Sequence, residues 1–452
     1  MQQINYLNIV SFSNFTNWSV QYLLDTKHSY NEKFEFVKIG NFLKRNKTPI
    51  DIENGFIYKR VTIRSKNNGV DLRDFENGEN IGTKKQFVIK EGQFLVSKID
   101  ARNGAFGVVP NIVDKGIITG NFWTYDVDYS IINPYFLSLI TTTSSFIKFC
   151  ENASNGTTNR HYLQEKLFLD QQIPLPTIKE QNRIVANYNA KLQLAQQQEQ
   201  QAKTLEIEIE RYLFEELGVE IKENNNNNKV FQLINFSEIQ RWDTLFLLGN
   251  LPSMNSSYKL AKFSEVIKYF NKGENGKTIR IDSPKFPKDD FRYIGMEHIE
   301  KESGNLLEMP EVKGIEIKSQ TLRVPKDFFI YGKLRPYLNK YWINTTDFDN
   351  IICSSEFFVF DINENLDKLF FKYILSSKII QNQISDKTSG ARMPRINEDI
   401  FFNLKFPMPP IEKQKQISNH INSLKTQIKE LKILSLNNKE VAIVEFEKEI
   451  FN

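Results

Sequence analysis

A glycine-rich loop at residues 273–278 (Gly-Glu-Asn-Gly-Lys-Thr) comes close to a motif that binds nucleotide phosphates. In that motif about four residues separate the glycines, so that the backbone can wrap a phosphate. Here only Glu274 and Asn275 stand between Gly273 and Gly276. The loop is therefore too short for a phosphate cradle, and we interpret it as a solvated basic loop.

Two further segments each lack a part that their chemistry requires. Residues 133–136 (Asn-Pro-Tyr-Phe) resemble the Asn-Pro-Pro-Phe motif of amino-methyltransferases, but one proline is missing and no glycine-rich turn for a methyl donor precedes them. We interpret them as a helix start, because Asn133 can cap a helix and Pro134 suits its first position. Residues 287–290 (Pro-Lys-Asp-Asp) lack the strand-borne acidic-x-Lys pattern of a nuclease core.

The histidines and cysteines indicate neither a metal site nor a nucleophile. The four histidines are scattered, and none has a partner at the spacing of a metal site or a catalytic triad. Cys150 and Cys353 give no disulfide framework and fit a reducing cytoplasm. We therefore expect no catalytic residue, no metal and no cofactor in this chain, and we expect its function to be recognition.

Composition limits the class of protein. A chain of 452 residues with 40% hydrophobic residues is long enough for about two to four packed domains. A net charge of +4 and a pI of about 8.6 permit a polyanionic partner without requiring one. The N-terminus has no signal-peptide pattern, and no stretch of about 18 apolar residues occurs. We expect a cytoplasmic protein without a membrane span.

An internal repeat is the strongest signal in the sequence. Residues 173–181 (Ile-Pro-Leu-Pro-Thr-Ile-Lys-Glu-Gln) return as residues 406–414 (Phe-Pro-Met-Pro-Pro-Ile-Glu-Lys-Gln), and a long polar helical pattern follows each copy. Matching stretches upstream are 38–44 with 262–268, 93–99 with 328–334, 116–120 with 350–354, and 155–156 with 389–390. Apart from the first of these upstream pairs, the offsets all fall between 233 and 235, which indicates one duplicated domain.

Each half of the repeat contains a sheet-rich part and a long helix. Residues 30–175 and 258–409 alternate apolar and polar types between turn signals such as Asn103-Gly104, which is typical of strands. The apolar stripe that follows each proline pair is narrow and needs one partner helix, and the matched partner is the other copy. We predict an α+β fold: two sheet-rich α/β domains in tandem, joined by two long antiparallel coiled-coil helices, with an internal pseudo-two-fold repeat. The alternative is two separate helices, each on its own domain.

The apolar stripe defines which residues the helix pair is expected to bury. In the first helix these are Ile184, Tyr188, Leu192, Ala195, Ala202, Leu205, Ile209 and Leu213. In the second they are Ile417, Ile421, Leu424, Ile428 and Leu431, with a slip at Leu434 and a continuation through Val441 and Val444.

Basic and amide residues gather at matching positions of the two halves. Such side chains neutralise phosphates, and they also pair with guanine or adenine. A duplicated unit offers two similar surfaces to a partner that is itself roughly two-fold, and duplex DNA is the leading candidate. The alternative is solvated surface charge. The candidate DNA-binding residues are Lys44, Lys98, Arg102, Asn103, Asn159 and Arg160 in the first half, and Lys272, Lys277, Lys333, Arg335, Arg392 and Arg395 in the second.

Three motifs in duplicated order resemble those of specificity (S) subunits of type I restriction-modification systems, over nearly the whole chain. The first is Pro-x-Pro-x-x-x-x-Gln-x-x-Ile, at residues 174–184 and 407–417. The others, in the second half, are Lys-Leu-Arg-Pro-Tyr-Leu-Asn-Lys at 333–340 with Cys-Ser-Ser-Glu-Phe at 353–357, and Ser-Gly-Ala-Arg at 389–392. The first half departs from this pattern, because residues 98–102 lack the Pro-Tyr and Asn121 stands where Glu356 stands.

The resemblance implies a division of the chain and a role for each part. Two target-recognition domains would each read one half of an asymmetric bipartite DNA site, and the helices would set the spacer and dock methyltransferase subunits. The expected parts are target-recognition domain 1 at residues 1–175, spacer helix 1 at 176–223, an Asn-rich linker at 224–229, target-recognition domain 2 at 230–409 and spacer helix 2 at 410–452.

The resemblance also places the chemistry in other chains. Two methyltransferase (modification) subunits would bind S-adenosylmethionine and modify adenine, and restriction subunits would use ATP and Mg²⁺. The chain itself would be non-catalytic and carry no cofactor. Two alternatives remain open: a coiled-coil assembly adaptor that binds protein partners, and a self-contained enzyme that fuses cleavage or methylation with specificity.

Overall fold

The chain folds into two compact units. The computed structural model describes residues 34–65, 68–155, 161–222, 253–385 and 393–451. Unit 1 comprises Met1–Glu199 with Ile433–Asn452, and unit 2 comprises Gln200–Lys432. Each unit thus combines sheets from one half of the sequence with a helical segment from the other half. Within the described ranges, no helix is both long and apolar enough to cross a membrane.

Unit 1 is built on two main β-sheets. Its strands are β1 (Glu35–Lys38), β2 (Leu43–Asn46), β3 (Thr48–Asp51), β4 (Ile57–Ile63), β5 (Val70–Asn77), β6 (Lys85–Val88), β7 (Phe94–Ser97), β8 (Phe106–Val108), β9 (Ile117–Ile118), β10 (Phe122–Val127), β11 (Ser154–Asn155), β12 (Tyr162–Leu163) and β13 (Gln172–Leu175). The four-stranded sheet has the order β2-β10-β7-β8, and the five-stranded sheet has the order β3-β6-β9-β4-β5. Strand β1 pairs with β13, directly before the first long helix.

Unit 2 is built in the same way. Its strands, with β14 from the end of the first half of the chain, are β14 (Glu220–Lys222), β15 (Ser253–Asn255), β16 (Leu260–Lys262), β17 (Ile267–Lys268), β18 (Arg280–Ile281), β19 (Asp290–Ile294), β20 (Glu311–Lys313), β21 (Thr321–Arg323), β22 (Phe329–Gly332), β23 (Tyr341–Ile343), β24 (Ile351–Ser354), β25 (Phe357–Ile362) and β26 (Lys405–Pro407). The sheets have the orders β17-β25-β22-β23 and β18-β21-β24-β19-β20, and β16 pairs with β26.

The equivalent sheet orders confirm the internal repeat that the sequence predicts. Strand β9 is parallel to β4 and antiparallel to β6, and β24 is likewise parallel to β19 and antiparallel to β21. Strands β7 and β22 occupy the same inner place in the four-stranded sheets. All four residues of each are buried, which explains why both begin with three consecutive apolar residues, 94–96 and 329–331.

The helices complete the α+β fold. They are α1 (Pro134–Thr142), α2 (Ser144–Asn152), α3 (Glu165–Asp170), α4 (Ile178–Leu217), α5 (Phe263–Val266), α6 (Lys368–Ser376), α7 (Lys378–Ser385), α8 (Glu398–Phe402) and α9 (Ile411–Phe451). Helix α1 begins as predicted, because the Asn133 side chain accepts a hydrogen bond from the backbone of Tyr135 and Pro134 opens the helix. The helix-cap interpretation of residues 133–136 is therefore confirmed.

In unit 1, the first part of α4 packs against the last part of α9. Phe446 of α9 contacts Tyr188 of α4 with a ring-centroid distance of 6.4 Å. The ion pairs Arg183–Glu449 and Lys191–Glu445 follow in opposite chain directions, so the two segments are antiparallel.

Unit 2 contains the matching arrangement. Tyr212 of α4 packs against His420 of α9 with a ring-centroid distance of 4.2 Å and a tilt of 42° between the rings, and Lys432 pairs with Glu206. Helix α4 ends where Gly218 adopts a positive φ of 55°, a conformation that favours glycine. The antiparallel pairing of the two long helices is therefore present in each unit, as the sequence predicts.

The register of the second helix was predicted wrongly beyond its middle. Leu434, Val441 and Val444 are exposed by 48%, 39% and 55%. The buried positions are instead Ser435, Ala442, Phe446 and Ile450. Apolar residues lie on several faces of this part of α9, so hydrophobicity alone could not identify the face that packs. The small side chains of Ser435 and Ala442 occupy that face.

Candidate nucleic-acid interface

In each unit one lysine follows the inner strand of the four-stranded sheet. The backbone N–H of Lys98, after β7, donates to the Asn121 carbonyl at 3.0 Å, and the Lys98 carbonyl accepts from Leu163 N at 2.9 Å. In unit 2 the backbone N–H of Lys333 donates to the Glu356 carbonyl at 2.8 Å, and the Lys333 carbonyl accepts from Ile396 N at 3.1 Å. We call these contacts the Lys98 joint and the Lys333 joint.

At each joint the residue that donates to the lysine carbonyl, Leu163 or Ile396, lies shortly after a stretch outside the described residues. Residues 156–160 precede the segment that carries Leu163, and residues 386–392 precede the segment that carries Ile396. Three candidate residues, Asn159, Arg160 and Arg392, fall in these stretches and lie outside the described residues. Lys98 and Lys333, which match in the sequence repeat, therefore also make matching backbone hydrogen bonds in the two units.

Both joint lysines are partly removed from water. Burial lowers the pKa of Lys98, and nearby Arg45 lowers it further. Burial also lowers the pKa of Lys333, against the opposing effect of Glu356. The Lys333 ammonium lies 5.3 Å from the centroid of the Phe358 ring. A partly desolvated ammonium attracts an anion more strongly than a fully solvated one, because the local dielectric constant is lower.

The surroundings of the Lys98 joint are aromatic and basic. The Arg45 guanidinium lies 5.7 Å from the Trp123 ring centroid and 5.4 Å from that of Tyr125. Glu165 is 3.3 Å from Arg45 Nη1 and accepts a hydrogen bond from the Tyr125 hydroxyl at 3.0 Å. Arg45 is thus held against the domain. Its neighbour on β2, the candidate Lys44, is exposed.

The loop after Lys98 carries two more candidates, Arg102 and Asn103. Residues Ala101–Asn103 form a single 3-10 turn, which Gly104 ends with a φ of 72°. The Asn103 side chain is exposed, and its backbone N–H donates to the Asp100 carbonyl at 2.8 Å. The structure therefore brings Lys98, Arg102 and Asn103 together in one short loop.

The loop after Lys333 is shaped by two left-handed residues. Arg335 has a φ of 48° and Asn339 a φ of 47°, on either side of the turn Pro336–Leu338. Arg335 N donates to the Pro394 carbonyl at 2.7 Å, and Asn339 Nδ2 donates to the Ser376 carbonyl at 2.8 Å. A left-handed backbone at a non-glycine residue is unfavourable, so these contacts maintain it. The loop exposes Arg335.

Tyr337 is an exposed residue of this loop that was missing from the candidates. Its exposed fraction is 56%, and it lies within the turn that Arg335 opens. An exposed aromatic ring beside a guanidinium is able to stack on a base or contact a thymine methyl group. Its position directly after a proline in the Lys-Leu-Arg-Pro-Tyr motif was the available signal.

Arg395 is engaged in an ion pair. Its Nε donates to Glu356 Oε2 at 3.0 Å and its Nη2 donates to Oε1 at 2.9 Å. This contact holds the pKa of Glu356 below its ordinary value. Because Asn121 occupies the matching position in unit 1, the same carboxylate–guanidinium pair cannot form there. The structure brings Lys333, Arg335 and Arg395 together, but it orients Arg395 toward Glu356.

The glycine-rich loop closes on itself. Gly273 N donates to the Lys277 carbonyl at 2.9 Å and Gly276 N donates to the Gly273 carbonyl at 2.8 Å. These N–H groups are therefore already used within the loop and do not form a phosphate cradle. The candidates Lys272 and Lys277 are exposed at this loop. Arg280, directly after it, is close enough to Lys333 to lower its pKa.

Two of the histidines contact neighbouring parts of the fold. His298 Nδ1 accepts from Gly295 N at 3.0 Å, and His420 packs against Tyr212. Among the residues that the structure describes, no group of three or more His, Cys, Asp or Glu side chains could hold a metal ion. The free thiols of Cys150 and Cys353 are buried. A duplicated α+β domain with a basic loop in each copy is the arrangement expected of a DNA-recognition protein.

Comparison with known proteins agrees with this class. The family model described as type I restriction modification DNA specificity domain matches residues 31–205 and 255–438. The specificity subunit of the type I restriction enzyme MjaVIII of Methanocaldococcus jannaschii is 22% identical over 424 residues, which cover 87% of this chain and 86% of that protein. The EcoDI specificity subunit of Escherichia coli is 24% identical over 337 residues, covering 72% of this chain and 69% of that protein.

A solved structure shares the fold. A chain from the structural study of complex assembly and conformational transition of the type I R-M system aligns with 94% of this chain and 99% of its own length, at a TM-score of 0.56 and 14% identity. The present chain belongs to the family of type I restriction-modification specificity subunits. It is a non-catalytic subunit whose function is DNA recognition.

Proposed function

We propose that each half of the chain reads one half of an asymmetric bipartite DNA site. Residues 1–175 and 230–409 act as the two target-recognition domains. The observation that carries this proposal is the pair of equivalent joints at Lys98 and Lys333, each of which places a partly desolvated ammonium beside an exposed loop. Because the loops differ in sequence and backbone conformation, the two half-sites differ.

The candidate residues divide into two kinds of DNA contact. Lysines on loops and strands, including the two partly buried joint lysines, and the neighbouring Arg102 suit phosphate contacts, which position the protein without reading sequence. Arg335, exposed at the tip of a rigid turn, suits a base edge, and Tyr337 is a further candidate for stacking. The phosphate-contact group is Lys44, Lys98, Arg102, Lys272, Lys277 and Lys333, and the base-contact group is Asn103, Asn159, Arg160, Arg335, Arg392 and Arg395.

The two long helices set the spacer between the half-sites and dock methyltransferase subunits. The spacer helices are α4 and α9, which lie within residues 176–223 and 410–452, and residues 224–229 are a linker that lies outside the described residues. Exposed apolar side chains on the helices support docking, because such surfaces commonly mark protein interfaces. They are Leu194 and Ile207 on α4, and Ile433, Leu434, Leu436, Ile443 and Val444 on α9.

The partners supply the chemistry. Two methyltransferase subunits bind S-adenosylmethionine and methylate adenine, and restriction subunits use ATP and Mg²⁺. This chain acts with them in the cytoplasm, where the buried free thiols of Cys150 and Cys353 stay reduced.

Genome-wide mapping of methylated adenine tests this function. The host is compared with a strain that lacks this gene and with one that carries only Arg335→Ala. We expect one bipartite, asymmetric motif to lose methylation in the deletion strain, and methylation at that motif to fall in the Arg335→Ala strain. Identical methylation in the host and the deletion strain would contradict the proposal. A purified complex without salt-sensitive, sequence-selective DNA binding would favour the assembly adaptor instead.

A further inference from the structure

In unit 1, the buried side chains between α4 and α9 become smaller toward the middle of the two long helices. Close to the sheets, Ile184 and Val185 of α4 join Phe446 and Ile450 of α9 in the core of the domain. Farther along, the buried positions are small: Ala195, Ser435 and Ala442 are exposed by 0%, 1% and 2%. Side chains this small leave little to interlock between the helices.

Polar contacts cross the helix pair at this place. Glu199 Oε1 accepts from Ser435 Oγ at 3.1 Å and from Lys439 Nζ at 2.6 Å. Gln198 Oε1 accepts from Asn438 Nδ2 at 2.9 Å. We call Gln198, Glu199, Ser435, Asn438 and Lys439 the central polar layer.

The ion pair of this layer has an equivalent in unit 2. There Lys432 Nζ lies 2.7 Å from Glu206 Oε1. The repeat that aligns Gln181 with Gln414 also aligns Glu199 with Lys432 and Glu206 with Lys439. Each unit therefore contains one Glu–Lys pair at matching positions. In both pairs α4 supplies the acid and α9 the base.

Such a layer distinguishes one helix register from another. A seam of apolar residues at alternating spacings of about three and four tolerates a slip by one turn, because an apolar residue meets another apolar residue after the slip. A slip of one turn would leave Glu199 beside only one of Ser435 and Lys439, so the layer loses contacts whichever way the helices slip. The Glu199 and Lys439 side chains are 42% and 45% exposed, so their ion pair adds little to the stability of the fold. Its main effect is to favour one helix register over the alternatives.

We propose that the central polar layer fixes the axial register of the α4–α9 pairing. Resting on the proposed function, this register determines the length of the unread DNA spacer. One helical turn is about 5.4 Å, whereas one base pair adds about 3.4 Å along the duplex. A helix pair that slipped by one turn would therefore no longer select a single spacer length.

The register is tested on the full chain by double electron–electron resonance, which measures the distance between two spin labels. Spin labels are attached at Gln193→Cys on α4 and Asn437→Cys on α9, two exposed positions of unit 1. The native thiols are both buried, which protects them from the label. We expect one narrow distance population in this background.

Three sets of substitutions are compared in the labelled chain. Glu199→Leu/Ser435→Ala/Lys439→Leu removes the layer but keeps an apolar seam. It should add a second population in which the distance between the labels differs by up to about 5 Å. Glu199→Lys/Lys439→Glu exchanges the charges and should restore the single distance. Arg183→Leu/Glu449→Leu removes another cross-helix ion pair, beside the Phe446 contacts, and should leave the distance unchanged.

A second measurement uses the complete complex with methyltransferase subunits. DNA duplexes carry the cognate half-sites with spacers one or two base pairs shorter or longer. Methylation of these duplexes, relative to the cognate one, should rise about tenfold or more when the layer is removed. The charge-exchanged chain and the Arg183→Leu/Glu449→Leu chain should retain wild-type selectivity.

The outcomes separate the register proposal from the proposed function. A single wild-type distance in the layer-removed chain, or the same shift in the Arg183→Leu/Glu449→Leu chain, would overturn the register proposal. If the layer-removed chain loses its helical circular dichroism, Lys439→Glu alone is labelled instead, and an unchanged distance there overturns the proposal equally. A wild-type complex that methylates every spacer length, with one narrow distance, would contradict the spacer function and leave the register result standing.

Discussion

Gln181 binds the backbone of Asn133, the residue that caps helix α1: its Oε1 accepts from Asn133 N at 2.8 Å. Gln414 binds Asp367, the cap of α6, at the same distance. Each amide also donates at 2.8 Å to a proline carbonyl directly before its helix, that of Pro176 or Pro409. The duplicated glutamine therefore joins the start of each long helix to the domain that it leaves.

Replacing Gln181 by Met should destabilise unit 1 by about 2–4 kcal/mol. Gln181 is fully buried, and the substitution removes the partners of Asn133 N, the Ile131 carbonyl and the Pro176 carbonyl. A buried backbone group without a partner costs about 1–3 kcal/mol. Native-state hydrogen exchange is the suitable measurement, because it reports the stability of each of the two compact units separately.

Gln197→Met provides the matched control for this change. Gln197 lies on the same helix and is exposed, so exchange rates should stay close to those of the wild type. Gln414→Met should reproduce the effect in unit 2. Equal exchange protection in the Gln181→Met and Gln197→Met chains would argue that the buried amide has no anchoring role.

The sequence predicted the repeat and its strands because duplication reveals itself without knowledge of contacts. Residues 93–99 and 328–334 do form the inner strands, and Asn133 does cap α1. The repeated motif in the sequence also contains Gln181 and Gln414. Their contacts were not, because a hydrogen bond to a residue 48 positions away depends on the tertiary fold.

Two features of the candidate site and helices could not be predicted from residue types. Arg335 adopts a left-handed backbone because Pro394, far along the chain, accepts its N–H. Ser435 rather than Leu434 is buried, because close helix packing at that place selects a small side chain over a hydrophobic one. In both cases long-range packing overrode local preference.

The stability of unit 2 should rise with pH because of Lys425. Burial and the nearby Lys372 lower the pKa of Lys425 to about 8. In the unfolded chain this amine keeps its proton to about pH 10.4. Between these values the unfolded state binds more protons, so stability increases with pH, by at most about 1.4 kcal/mol per unit. Below pH 8 the effect is constant.

Lys425→Met should remove this slope. The measurement is thermal unfolding of wild-type and variant chains at several values between pH 7 and pH 10, compared as differences so that other titrating groups cancel. Other charged groups near Lys425 are Glu210 and Glu206, and its ammonium lies 4.8 Å from the Tyr373 ring centroid. Lys429→Met, at an exposed position of α9, should keep the wild-type slope. A wild-type slope in Lys425→Met would exclude Lys425 as its source.

Domain exchange should change one half of the DNA site at a time. When residues 1–175 are replaced by the homologous part of a relative, we expect one half-site to change and the other to remain, because each unit has its own core. Adenine methylation mapping reads out the result. Altered recognition at both half-sites would mean that the domains do not read independently.

Lengthening both long helices by four residues should change the spacer only. At about 1.5 Å per residue the insertion adds about 6 Å, close to two base pairs of duplex. We expect both half-sites to persist with a longer unread gap. Insertion of four residues in the Asn-rich linker at 224–229 is the control and should leave the gap unchanged.

Substitution of the loop cations should separate contacts to bases from contacts to phosphates. Arg335→Ala and Arg392→Ala should weaken binding of the complex at the half-site of the second half, and Lys98→Ala and Arg160→Ala at the other. Loss of a base contact should remove about 1–3 kcal/mol of discrimination at one position. Loss of a phosphate contact should weaken binding to every sequence and reduce the salt slope by about one unit.

The surroundings of Lys98 and Arg335 predict which of the two kinds of contact each residue makes. Lys98 is partly desolvated at its joint and should behave as a phosphate contact, whereas Arg335 is exposed on a rigid turn and should discriminate one base pair. Binding is measured by titrating labelled duplexes at several salt concentrations, with Lys429→Ala as a remote charge control. If all four loop substitutions leave both the affinity and the salt slope of a folded complex unchanged, the DNA surface lies elsewhere on the domains.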